Sequence, residues 1–161
     1  MRLISVELTP IGELGWGSGE LEFGRAITQL YAKTGSGKTP VISAISYALG
    51  YFHEFRNDIV ERCRSTCLKV EFDDGIYLID REISKTFKIE VTKIEGEIKE
   101  RVAVFDNEKD FSNFIFEKIG YEMPELSRSD SKKSPVYVNT FFPLYVLVRI
   151  PAKLITYSGK C

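Results

Sequence analysis

From Leu3 to Leu8, the apolar residues Ile4, Val6 and Leu8 alternate with Leu3, Ser5 and Glu7. A period of two predicts a first strand. Gly12, Gly15, Gly17 and Gly19 then loosen the chain. After a short segment at Leu21 to Phe23, Ala26 to Tyr31 form a second apolar run, which reads as a buried strand pointing into a glycine-rich turn. Beyond that turn Ile42, Ile45, Leu49 and Phe52 recur at helical spacing. Lys38 to about Tyr51 is therefore expected to be a helix with these four residues as its core-facing stripe and Gly50 near its end.

The middle of the chain has another character. Leu68 to Phe72, Ile76 to Arg81, Phe87 to Ile94 and Ile98 to Phe105 are alternating, β-branched or aromatic segments. Asp74-Gly75 separates the first two and Glu95-Gly96 the last two, as tight hairpin turns require. The pattern predicts an antiparallel meander rather than a βαβ repeat. Asn107 followed by Asp110 marks a helix start, Phe111, Phe114, Ile115, Lys118 and Ile119 share one helical face, and Gly120 is placed to end it. The polar run Glu125 to Ser134 reads as a mobile loop or linker. Leu144 to Ile150 is strand-like. Three stretches follow: a lobe at 1–124, a linker at 125–135 and a truncated or divergent tail at 136–161.

Composition narrows the class. An apolar content of 43% over 161 residues is enough for one core. The 22 basic and 23 acidic side chains nearly cancel, so no global field attracts nucleic acid or an anionic membrane. Val136 to Ile155 is apolar but interrupted by Asn139, Pro143, Arg149, Pro151 and Lys153, and it cannot span a bilayer as a helix. The first residues lack the apolar core of a signal peptide, so a cytoplasmic protein is expected. Cys63, Cys67 and Cys161 lack paired metal-ligand spacing, and with His53 as the sole histidine they are expected to be reduced thiols rather than a zinc site.

One motif carries chemistry. Ala32-Lys33-Thr34-Gly35-Ser36-Gly37-Lys38-Thr39 matches G-x-x-x-x-G-K-[ST] at every defined position but the first. Gly35 and Gly37 let the backbone curl so that N–H groups converge on a polyphosphate, and the following helix adds its positive end. Lys38 is expected to reach the β and γ phosphates of ATP, and Thr39 to offer its hydroxyl to Mg²⁺. Pro40 has no N–H for the α-phosphate, which costs about 1–3 kcal/mol if that bond is to a charged group. Trp16 offers a flat face for adenine, although an exposed or packed loop tryptophan is the expected reading.

The opening strand, the loop at 33–39, the helix from Pro40 to Gly50 and the antiparallel sheet together resemble the N-terminal portion of ABC-type ATPase heads of the SMC and recombination-repair class. The likeness covers about residues 1–120. It implies an α/β, P-loop NTPase-like lobe with a mainly antiparallel sheet, incomplete as an ATPase. It also implies that Lys33, Thr34, Gly35, Ser36, Gly37, Lys38 and Thr39 bind the nucleotide, with Thr39 on the metal. In that family hydrolysis needs a second head, a Q-loop glutamine, an acidic Walker B pair and a signature motif. The sole glutamine here is Gln29, upstream of the loop. Asp80 and Asp106 end apolar runs but read as hairpin and cap residues, and Leu126-Ser127-Arg128-Ser129 echoes a signature motif only at its start. The expectation is an ATP- and Mg²⁺-binding lobe that does not hydrolyse ATP alone, with a second head or a C-terminal lobe as partner and DNA contacted only indirectly. The chain is expected to be a fragment, a truncated product or a frame-shifted end. The competing readings are a small P-loop kinase with Arg62, Arg64 and Arg128 as lid candidates, and a degenerate, non-catalytic interaction module.

Overall fold

A computed structural model describes residues 1–31, 33, 38–127 and 133–140. The chain opens with β1 (Arg2–Pro10), β2 (Leu21–Glu22), α1 (Lys38–Ala48) and α2 (Asn57–Arg62). The meander β3 (Cys63–Phe72), β4 (Gly75–Glu82), β5 (Ile89–Glu95) and β6 (Ile98–Phe105) follows, then α3 (Glu108–Lys118), β7 (Glu125–Ser127) and β8 (Lys133–Pro135).

The first six strands form one sheet in the order β2-β1-β3-β4-β5-β6, and every neighbouring pair is antiparallel. Its register follows the alternation in the sequence. Leu68, Val70 and Phe72 of β3, Tyr77, Ile79 and Arg81 of β4, and Ile89 and Val91 of β5 turn to the buried face. Glu7, Cys67, Asp80 and Glu90 lie in one cross-strand row on the other. The hairpin turns sit one residue away from the expected pairs. Phe72 pairs with Gly75, leaving Asp73 and Asp74 at the tip, while Glu95 pairs with Ile98 around Gly96 and Glu97. Gly96, at φ 63°, takes the left-handed conformation that this tip demands.

Both long helices cover the buried face. Phe111, Ile115 and Phe116 of α3 enter the core with Val6, Leu8, Ala44, Ala48 and Leu49. Phe111 is fully buried, with ring contacts at 5.6 Å to Phe105 and 6.3 Å to Phe87. A side chain of this size contributes about 1.5–3 kcal/mol by burial. Asn107 caps α3, its Oδ1 accepting from the Asp110 N–H at 2.9 Å. Gly50 ends α1 at φ 97°, where a Cβ would meet the Phe111 ring at 3.3 Å. No other residue type fits there without strain.

Three expectations are corrected. Ala26 to Tyr31 is not a buried strand, for it joins no sheet and leaves Ile27 88% and Tyr31 93% exposed. Beyond β1 the two residues of β2 occupy the edge, and the chain then turns locally, with the Gly24 N–H donating to Thr28 Oγ1 at 2.7 Å. The buried face of α1 keeps half of the expected stripe. Leu49 is buried and Ile45 packs on the core as expected, whereas Ile42 and Phe52 are exposed and Ser43, Ala44, Tyr47 and Ala48 are buried in addition. Glu125 to Ser134 is not simply a loop, since β7 and β8 pair antiparallel across it; residues 128–132 lie outside the described residues. The Val136 N–H donates to the Pro124 carbonyl and the Val138 N–H to Ser112 Oγ, which docks this segment against α3. The expected strand at 144–150 and Cys161 also lie outside the described residues. Among the described residues, no helix is long and apolar enough to cross a membrane.

Candidate functional site

α1 begins at Lys38, the point at which the motif needs a helix to start. Lys38 and Thr39 are its first two residues, Thr39 is exposed, and the first turn carries no acidic side chain. The positive end of the helix dipole is therefore uncompensated by local carboxylates. Pro40 occupies the third position and contributes no N–H. Lys33 is exposed. Ala32, Thr34, Gly35, Ser36 and Gly37 lie outside the described residues, as does the side chain of Lys38. A polyphosphate and its Mg²⁺ fit what surrounds this end: an exposed hydroxyl, an acid-free helix start and a glycine-containing sequence before it.

The other sequence candidates sit apart from it. Asp80 and Arg81 are neighbours in β4, so their side chains leave opposite faces of the sheet. Arg81 turns toward α1, and Asp80 lies in register with Cys67 and Glu90 on the far face. Burial raises the Asp80 carboxyl above its ordinary range, opposed by its bond to Ser65. Asp106 is not the cap of α3, since Asn107 is; Asp106 accepts instead from Asn107 Nδ2 at 2.9 Å. Trp16 is half exposed, its backbone N–H donating to the Arg62 carbonyl at 3.0 Å and its backbone carbonyl accepting from Cys63 Sγ. Those bonds anchor it to the junction of α2 and β3. Leu126 and Ser127 belong to the exposed strand β7, while Arg128 and Ser129 lie outside the described residues. Among the described residues, no group of three His, Cys, Asp or Glu side chains converges as for a metal.

At the opposite end of α1 lies a group of polar residues not anticipated from the sequence. Arg81 is 4% exposed. Its Nη1 donates to the carbonyl oxygens of Tyr47 at 2.6 Å and Tyr51 at 2.9 Å, and its Cζ stands 3.8 Å from the Tyr47 ring centre and 4.7 Å from that of Phe87. Burial holds this guanidinium below its ordinary pKa. Burial also pushes the Glu108 carboxyl upward, with the charge of Arg81 pulling it back. One signal could have found it: Arg81 falls on the buried parity of β4, after Tyr77 and Ile79, where an arginine is anomalous.

Neither a protein-family model nor a curated protein matches this chain.

Proposed function

We propose that this chain is an ATP- and Mg²⁺-binding lobe of the SMC and recombination-repair kind, acting in the cytoplasm and without hydrolysis of its own. The observation that carries the reading is the placement of Lys38 and Thr39, the last two residues of the motif, as the first two of the eleven-residue helix α1. In this reading the backbone N–H groups from Lys33 to Gly37 cradle the phosphates. The Lys38 ammonium neutralises the β and γ oxygens, and the Thr39 hydroxyl completes the coordination of Mg²⁺.

The chemistry stops at binding. A hydrolytic centre needs a carboxylate that positions water beside the γ-phosphate, and Asp80 leaves the sheet on the face away from α1. A second head or a C-terminal lobe would supply that carboxylate, and any DNA contact would come through the same partner. A small P-loop kinase needs parallel β/α order, whereas each pairing in the six-stranded sheet is antiparallel.

The test is titration with a fluorescent ATP analogue, with and without Mg²⁺. The reading expects a saturable, Mg²⁺-dependent signal that Lys38→Ala weakens at least about tenfold, through loss of a charge-assisted bond. A signal that ignores Lys38, or none, leaves a non-catalytic interaction module. A steady-state ATPase rate abolished by Lys38→Ala would refute the inactive half of the proposal.

A further inference from the structure

We propose that the cavity at the C-terminal end of α1 binds a small organic carboxylate that also carries a hydrogen-bond donor. The cavity has a volume of about 190 Å³, and Gly50, Arg81, Lys85, Phe87, Glu108 and Asn139 are among the residues that line it. At roughly 30 Å³ per water it holds about six waters, or a compact organic acid of a few carbons.

The charge balance selects the ligand. Arg81 is 4% exposed, its Nε has no hydrogen-bond partner among the described residues, and Glu108, on the wall of the same cavity, is the carboxylate whose charge acts on it. Its Nη1 is committed to two carbonyl oxygens at the negative end of α1, which fix the guanidinium plane and offset part of its charge. Lys85 at the rim adds a second cation on the same cavity. With Glu108 on the same wall, the three side chains sum to one positive charge, which a monoanion balances.

Glu108 decides which anion. Its Oε1 is buried and lacks a donor among the described residues. A carboxylate side chain beside the site repels a phosphate dianion more strongly than a carboxylate monoanion. It also asks for a hydroxyl or ammonium hydrogen on the ligand. Phe87 and Phe52 furnish apolar wall for a short carbon skeleton. A small hydroxy acid or amino acid meets each of these demands at once: carboxylate toward Arg81 and Lys85, donor toward Glu108, carbon against the rings.

The probes are L-lactate and L-serine, with phosphate and chloride as the competing anions, read by thermal shift and titration calorimetry on the full chain. At least one of the two acids raises Tm by several degrees at saturation and binds at least tenfold more tightly than phosphate. Lys85→Ala, an exposed position, weakens that binding about tenfold while leaving the Tm of the free protein unchanged. Glu108→Gln reduces the preference for the acids over phosphate. Lys38→Ala leaves the response intact, so this site stands whether or not the nucleotide reading does. A Tm indifferent to both acids, a response matched by phosphate or chloride, or one that survives Lys85→Ala overturns the proposal.

Discussion

Arg81 holds Tyr47 twice, donating from Nη1 to its backbone carbonyl at 2.6 Å and lying 3.8 Å over its ring. The hydroxyl of the same tyrosine donates to the Glu82 carbonyl at 2.9 Å. The end of α1 is thus tied to β4 from both directions, and the buried cation faces the negative end of the helix dipole.

Replacing Arg81 with Met keeps bulk but leaves the Tyr47 and Tyr51 carbonyls without their donor. Stability is expected to fall by about 1–3 kcal/mol, chiefly the cost of the buried Tyr47 acceptor left unsatisfied, the Tyr51 carbonyl being only part-buried. Arg81→Lys, which retains one charged donor, is expected to lose less. Urea unfolding of the two variants beside the parent protein measures both, and equal stability of all three would contradict the role given to the guanidinium.

Asn107 supplies the cap of α3, and α3 carries Phe111 and Ile115 into the core. Asn107→Ala is expected to cost about 1 kcal/mol, while Asn107→Asp, an equally good cap, stays within a few tenths. For a domain of this size the alanine variant lowers Tm by about 2–4 °C, which a calorimetric scan resolves.

The Asp74 carboxylate accepts from the Lys118 ammonium and from the Tyr77 hydroxyl, and these bonds hold its pKa below the ordinary aspartate value. A depressed carboxyl stabilises the fold above its unfolded pKa of about 3.9 and loses that contribution as pH falls through the lower, folded pKa. The difference in urea midpoint between the parent protein and Asp74→Asn should therefore narrow from about pH 6 to about pH 3. A constant difference would mean that the aspartate acts through shape alone.

Cys67 stands in register between Glu7 and Asp80, and its thiol is pushed up to about 12, by burial first and then by those two charges. The thiolate is the reactive form. In a Cys161→Ser chain, Cys67 and the buried Cys63 are expected to resist iodoacetamide at mildly alkaline pH until denaturant is added. Rapid labelling of the native chain, read by mass spectrometry, would show that the row opens to solvent.

The meander was legible because Leu68 to Phe72 and Ile76 to Arg81 alternate cleanly and because glycine marks two of its turns to within one residue, whereas the connection at 83–88 carries no such mark. The cap at Asn107 was equally plain. Ala26 to Tyr31 misled because strand propensity says nothing of whether an edge is free to receive the strand, and here β2 had taken it. The face of α1 was legible in Ile45 and Leu49 but not in the rest. Ser43, Ala44 and Ala48 carry little hydrophobic signal, yet close approach to the sheet favours them, while the conspicuous Ile42 and Phe52 remain outside. β7 and β8 were hidden in a polar composition, since their pairing is backbone to backbone, with exposed side chains and an ion pair between Lys133 and Glu125. As for the site, the motif at 32–39 was visible, and the helix start at Lys38 agrees with it. The cavity around Arg81 arises from residues far apart in sequence, which no local pattern brings together.

The outer strand β6 has a further consequence. Among the described residues no strand pairs with its outer edge along Ile98–Phe105, where Ile98, Val102 and Val104 are exposed, and such a rim can template fibre growth. Lys99, Glu100 and Arg101 interrupt it with charge, and a register shift at Val91 and Thr92 of its neighbour distorts the ladder beside them. The chain thereby guards itself against self-recruitment at high concentration, and neutralising those three side chains would turn a quiet border into a seed.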